Sequence, residues 1–317
     1  MTSITLFPPA KVNLYLAVGA RQPDGYHRLD TLFERLDLCD ELQLTRQAAP
    51  GITLRCSDPA LPTDGRNLVV RAAAAFLQAA GITAGVAIEL VKKIPVAGGL
   101  GGGSSDAAAT LRGLNTLYDQ PLSDEALTAI GRRLGADVPL FLQPAVIARG
   151  RRYGDEITPA VAPPVPFWHV LVNPGVMLLT RAVYETFDRL PAGPSSLTRS
   201  DDDVRLLLRF VQAGDVAAVA AHLANALEPA IEASYPAIRA VQEALRECGV
   251  LGLLVSGSGP TTYGVAADES QARAIAQRVR RAQPTWTTVV ARTALAPAQT
   301  HPAAPVRGDA HHARLPH

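Results

Sequence analysis

Pro95 to Ala109, PVAGGLGGGSSDAAA, constrains the fold of this chain more than any other stretch, with five glycines in the six positions from Gly98 to Gly103 followed by Ser104 and Ser105. Residues without a Cβ permit positive φ and bring backbone N–H groups close to a ligand. An alternating apolar run, Val86 to Val91, precedes the loop, and a helix-compatible run, Ser105 to Tyr118, follows it. The spacing therefore predicts a loop that delivers amides to a helix N-terminus, where unpaired N–H groups and the helix dipole both favour an anion. A Gly-rich turn that merely joins strand to helix is the plainer alternative. Two familiar phosphate patterns are excluded. A Walker A loop needs Lys after its last Gly, and here Ser104 and Ser105 follow without one. In the dinucleotide pattern counted from Gly99, Ser104 occupies the last glycine position.

At 317 residues and 48% hydrophobic content the chain has material for two domains with a core each. A formal net charge of +1 without a basic cluster argues against a nucleic-acid partner. Cys39, Cys56 and Cys248 are far apart and odd in number, which favours neither a disulfide framework nor a zinc site. The N-terminal residues lack the charge and apolar pattern of a signal peptide, and no run approaches the roughly 18 apolar residues of a membrane span. A cytoplasmic protein with no membrane partner is expected. Of 30 basic residues only Lys11, Lys92 and Lys93 are lysines, so a compact point charge is kept at few places, two of them just before the glycine loop.

In chain order, Val12 to Val18 reads as a strand with Lys11 and Asn13 on the face opposite Val12 and Leu14, a face that a solvated edge would equally explain. Pro23-Asp24-Gly25 is a turn, with Tyr26 and His27 after it read as half-buried turn packing or as a stacking ring and a hydrogen-bonding ring. Leu36 to Leu44 and Ile52 to Arg55 are strand-like. Asn67 is an N-cap for a helix over Leu68 to Ala80 closed by Gly81, and Ser123 caps a second helix ending at Gly135. Asp137 reads as the cap of a further turn with Pro139 behind it. The polar, Pro-rich segment from Arg151 to Pro166 marks a domain boundary, placed at 155/156. Beyond it lie a strand at Trp168 to Val172, helices at Arg181 to Leu190, Val204 to Ala213, Ala217 to Leu227 and Pro236 to Cys248, and strands at Leu251 to Val255 and Thr262 to Val265 joined by a second small-residue turn. A helix at Ser270 to Arg281 and a strand at Trp286 to Ala291 complete the pattern, and residues 295–317 are expected to be a disordered tail with four histidines. Strands and helices alternating in two halves, each with a glycine turn, give an α+β or α/β two-domain enzyme.

PVAGGLGGGSSDAAA, AKVNLYL at Ala10 to Leu16 and GLLVSGSGPT at Gly252 to Thr261, in register over nearly the whole chain, resemble the GHMP kinase superfamily. DGYHRLDTLF at Asp24 to Phe33 and GADVPLFL at Gly135 to Leu142 are similar to the branch that phosphorylates a cytidine-diphosphate-linked methylerythritol in the non-mevalonate isoprenoid pathway.

The resemblance implies an N-terminal ribosomal S5-like domain and a C-terminal ferredoxin-like domain with the active site between them. It implies transfer of phosphate from ATP, with Mg²⁺, to the 2-hydroxyl of the erythritol moiety. Asp137 matches the base that accepts the hydroxyl proton, and Lys11 the partner that keeps it ionised and stabilises charge at the reacting centre. Pro95, Gly98, Gly99, Leu100, Gly101, Gly102, Gly103, Ser104 and Ser105 match the wrapping of the ATP phosphates, and Asn67, Leu68 and Lys92 the adenine pocket. Tyr26 and Tyr184 match aromatic residues on either side of the cytosine, His27 the group that reads its edge, and Asn13 the contact to the diphosphate and methylerythritol. Thr180 and the turn from Ser256 through Gly257 to Gly259 match the substrate side. Where the family writes a compact Gly-x-Gly-Glu turn, this chain has Gly150-Arg151-Arg152-Tyr153-Gly154-Asp155, longer and more basic. Other acceptors in the superfamily, such as homoserine or mevalonate, and an S5-like RNA-contacting protein are the rival readings, and the oligomeric state is left open.

Overall fold

The apolar alternation and glycine punctuation resolve, in a computed structural model that describes residues 2–190, 197–295 and 301–302, into two α+β lobes. The first comprises β1 (Ser3–Leu6), β2 (Pro9–Arg21), β3 (His27–Cys39), β4 (Glu41–Gln47), β5 (Ile52–Cys56), α1 (Leu68–Ala80), β6 (Gly85–Val91), α2 (Gly102–Leu117), α3 (Asp124–Leu134), α4 (Val138–Leu142), β7 (Ile147–Arg152) and β8 (Glu156–Ala160). The second comprises β9 (Trp168–Asn173), α5 (Thr180–Phe187), α6 (Leu197–Ala213), α7 (Val216–Ala221), β10 (Ala224–Asn225), α8 (Glu228–Ser234), α9 (Pro236–Glu247), β11 (Gly252–Val255), β12 (Thr262–Ala266), α10 (Glu269–Ala282) and β13 (Thr287–Arg292).

Among the described residues there are three sheets, ordered β4-β6-β5 after β1, then β10-β2-β3-β7-β8, then β11-β12-β9-β13. α1 and α2 pack on the first sheet and α3 and α4 on those helices, and a core closes through Phe76, Leu111, Leu114, Ile88 and Leu44. A second core is shared by both lobes: Val12 and Leu14 of β2 and Leu32 of β3 meet Leu171 of β9, Tyr263 of β12 and Val204 and Leu207 of α6.

Local signals set several boundaries. Asn67 Oδ1 accepts the Val69 amide and Gly81 takes the left-handed conformation at φ 65°, so α1 starts and stops where its caps stand. Ser123 caps α3, with Asp124 and Glu125 in its first turn. Other boundaries moved. Leu36 to Leu44 is not one strand: the chain turns at Asp40, whose buried carboxylate accepts the amides of Lys93 at 2.5 Å and Ile94 at 2.8 Å. His27 belongs to β3, paired with Arg21, rather than to turn packing. The expected helix over Ala217 to Leu227 stops at Ala221, because Ala224 and Asn225 pair in parallel with Tyr15 and Leu16. Asn225 Nδ2 then donates to the carbonyls of Val255 and Gly257, both at 2.8 Å. α8 went unforeseen, and α2 begins at Gly102, taking Gly102 to Ser104 into its first turn.

The expected boundary at 155/156 falls inside the β7–β8 hairpin of the second sheet, and we propose that the division follows β8. In the expected tail, His301 and Pro302 pair with Thr5 and Ile4 of β1; residues 296–300 and 303–317 lie outside the described residues. Among the described residues no helix is long and apolar enough to cross a membrane.

Candidate active site

The glycine loop ends at Gly101, φ 70°, which caps α2 without a side-chain bond. The first-turn amides are thus left to an outside acceptor, at the positive end of a 16-residue helix. Gly99 shows why this loop tolerates no side chain. Its φ is 74°, and a Cβ there would lie 2.3 Å from the Ser256 carbonyl. The approach is close because the second lobe clasps the loop: Ser256 Oγ donates to the Gly99 carbonyl at 2.9 Å and the Thr261 amide to the Gly98 carbonyl at 3.2 Å. From the other side the Lys11 amide donates to the Leu100 carbonyl at 2.9 Å.

Beneath the first turn of α2, the Lys92 ammonium lies between the carboxylates of Asp40 and Asp106, at 2.7 Å from the latter. Burial lowers Lys92, but Asp106 and Asp40 outweigh it and hold the ammonium above its ordinary value. Burial, with Asp40 alongside, pushes Asp106 up to about 7 against the pull of Lys92.

β2 carries the next group. Lys11 and Asn13 are 3% exposed each, so the strand face they share is buried rather than solvated at an edge. Lys11 Nζ donates to Asn13 Oδ1 at 2.7 Å, Asn13 Nδ2 to Thr31 Oγ1 at 2.8 Å, and Thr31 Oγ1 to the Tyr15 carbonyl at 2.7 Å. The ammonium stands 3.9 Å from Asp137 Oδ2. Burial depresses the Lys11 pKa, and Asp137 partly restores it. Asp137 occupies the N-cap position of α4 without capping it, so its carboxylate, 36% exposed, faces open space beside Lys11.

At the far end the Pro23–Gly25 turn presents Tyr26, 67% exposed. His27 is buried, with Nδ1 2.9 Å from the Gly19 carbonyl and Nε2 3.3 Å from Asp188. Its ring lies 5.1 Å from that of Tyr184, whose phenol is pushed up by burial and by Asp137. Thr180 Oγ1 is hydrogen bonded to Ser258 Oγ at 3.0 Å.

These groups open onto one cleft of about 1320 Å³, larger than the roughly 300–1,000 Å³ of a single-ligand pocket and wide enough for two ligands together. Of the expected residues, Lys11, Asn13, Tyr26, His27, Gly99, Gly101, Ser104, Asp137, Thr180, Tyr184 and Gly257 line it. Pro95, Gly98, Leu100, Gly102, Gly103, Ser105 and Ser256 belong to the loop, the first turn of α2 or the clasp and are not among the lining residues, with Gly103 exposed at the helix start. Asn67, Leu68 and Lys92 gather on the other flank of the α2 N-terminus, where a Cβ on Gly103 would meet Leu68 at 3.6 Å and one on Gly102 would meet Lys92 Nζ at 3.4 Å. Asn67 and Lys92 have their polar groups spent, the first on capping α1, the second on the two carboxylates. Four residues of the site carry no expectation from the sequence. Asp188 was detectable, being one helical turn beyond Tyr184. Thr31 and Asp106 stand inside motifs already named and Asp40 outside them, and only strand pairing and the corner at Asp40 bring the three to their partners.

The family described as GHMP kinases N terminal domain matches residues 67–144, and GHMP kinases C terminal matches residues 207–285. A 4-diphosphocytidyl-2-C-methyl-D-erythritol kinase of Geobacter metallireducens is 42% identical over 88% of this chain and 95% of its own length. One of the same name from Geotalea daltonii is 39% identical over 89% of this chain and 96% of its own. The crystal structure of a 4-(cytidine 5′-diphospho)-2C-methyl-D-erythritol kinase superposes with a TM-score of 0.75 at 35% identity, covering 91% of this chain and 99% of that one. Homoserine kinase from Cytophaga hutchinsonii, at 21% identity and a TM-score of 0.73 over 95% of this chain and 97% of its own, shares the fold.

Proposed function

The chain belongs to the GHMP kinases and, within them, to the family of 4-diphosphocytidyl-2-C-methyl-D-erythritol kinases, and from that membership we propose that it transfers phosphate from ATP to the 2-hydroxyl of that diphosphocytidyl acceptor, with Asp137 as base and Lys11 as its partner. The observation that carries the reading is the pair at 3.9 Å, lining one cleft together with Gly101 and Ser104 of the α2 N-terminus and with Tyr26, His27 and Tyr184. The free first-turn amides fit a triphosphate. Asp137 accepts the hydroxyl proton as the oxygen attacks the γ-phosphorus, and Lys11, oriented by Asn13 and Thr31, neutralises charge gathering at the transferred group. The cytosine stacks on Tyr26 with Tyr184 behind, and its edge meets His27 Nε2 where Asp188 now lies. Mg²⁺ accompanies the nucleotide in this proposal; among the described residues no three His, Cys, Asp or Glu side chains cluster to hold a cation, and no protein ligand is assigned to it.

ADP release with the diphosphocytidyl acceptor, against homoserine as the rival acceptor, tests the reading. Asp137→Ala is expected to lower kcat by at least about 100-fold while ATP binding survives. Turnover within about tenfold of the parent would remove Asp137 from the mechanism.

A further inference from the structure

The β7–β8 hairpin is a basic, aromatic segment that the proposed chemistry leaves idle, yet its tip lines the cleft beside Tyr26. Arg152, Tyr153 and Asp155 all line that cleft beside Tyr26. Arg152 holds φ 65°, a conformation that a residue with a Cβ adopts only when its surroundings impose it. The surroundings here are ionic and aromatic. Its guanidinium lies over the Tyr153 ring at 5.0 Å and 3.5 Å from Asp155, which also receives Arg132 of α3 at 3.7 Å. The base of the hairpin is tied down as well, since Arg149 grips Asp30 of β3 through paired hydrogen bonds, the first at 2.7 Å. Tyr153 is thereby presented in a set position. Its ring meets Tyr26 edge-on, with centroids 5.8 Å apart and planes at 64°, and its hydroxyl donates to Asp24 of the same turn. Asp24 Oδ1 in turn accepts the Tyr26 amide at 3.0 Å.

Tyr26 needs such support. It is 67% exposed on a turn, and an aromatic side chain so placed samples several rotamers, all but one of which must be given up when a base stacks on it. We infer that Tyr153 is a positioning residue for acceptor recognition, holding Tyr26 and the Pro23–Gly25 turn in the orientation that stacks on the base before the acceptor arrives. The edge-to-face contact with Tyr153 restricts the side chain of Tyr26, and the hydroxyl on Asp24 restricts the backbone that carries it. The inference rests on the functional reading above, in which Tyr26 stacks on cytosine.

The test is steady-state kinetics of the full chain with the diphosphocytidyl acceptor and ATP varied in turn, for the parent, Tyr153→Phe and Tyr153→Ala. Tyr153→Ala is expected to raise the acceptor KM by about tenfold with kcat and the ATP KM unchanged, and Tyr153→Phe, which keeps the ring and loses the bond to Asp24, by about threefold. A merely structural role would move kcat and both KM values together, or lower the thermal midpoint, and either result overturns the inference. An acceptor KM unchanged in Tyr153→Ala overturns it alone, with the functional reading intact. No turnover of the diphosphocytidyl acceptor by the parent overturns the functional reading and this inference with it.

Discussion

Lys11 shows how burial and chemistry act on one residue. An ammonium 3% exposed is costly to keep charged, and its pKa falls; the carboxylate of Asp137 and the Asn13 amide oxygen offset that cost. The sign follows directly. Where the folded pKa lies below the unfolded one, the folded chain binds fewer protons, so folding gains stability as pH rises through the window beneath the ordinary value of 10.5. In the proposed mechanism activity runs the opposite way, because charge stabilisation by Lys11 needs the proton. kcat/KM is expected to fall on the alkaline side with a midpoint below that of an ordinary lysine, and Lys11→Arg to move that limb out of range, as a pH–rate profile would reveal. Lys11→Met, which keeps the stem and removes the charge, is expected to cost about 100- to 1,000-fold in kcat. A loss under tenfold would mean that the ammonium does not meet the transferred group.

At the scale of elements, α2 is held from both ends of its loop. Gly99→Ala places a Cβ 2.3 Å from the Ser256 carbonyl at φ 74°, and is expected to destabilise the fold by about 1–3 kcal/mol and to raise the ATP KM more than the acceptor KM. Thermal unfolding and initial rates measure the two effects separately; a Gly99→Ala protein with the parent's midpoint and ATP KM would show that the clasp is loose. Beneath the same turn, Asp106 titrates near neutrality, at about 7 folded against 3.8 in its ordinary state. The folded chain therefore retains a proton that the unfolded chain loses, and the stability this provides declines as pH rises between those values. Asp106→Asn is expected to flatten that slope in urea unfolding midpoints taken across the window. An unchanged slope would move the pH dependence elsewhere. Lys92 belongs to this device first, with its ammonium committed to both acids, and its contact with adenine is a proposal that rests on resemblance.

At the scale of the whole molecule, the two lobes share a core, and a buried polar link joins them: His169 of β9 lies 3.1 Å from Glu34 of β3, and Thr293 donates to the same carboxylate at 2.5 Å. Lobes that share apolar area and a buried carboxylate cannot open independently, so a single calorimetric transition is expected. Two resolved transitions would mean that the shared core is weaker than either lobe. The sequence by itself determined what depends on neighbours along the chain: the caps Asn67, Ser123 and Gly81, the helices they bound, the turn at Pro23–Gly25, and a glycine loop suited to an anion at a helix N-terminus. Its motif spacing also carried the family and eleven of the residues that line the cleft. Only the tertiary structure decided the corner at Asp40, the break after Ala221, the burial of Lys11 and Asn13, the partners of Lys92, and the placement of Tyr153 against Tyr26. Each of these depends on pairing between segments distant in the chain, where strand register, burial and charge neutralisation are settled together, and local periodicity carries no record of which distant segment will arrive.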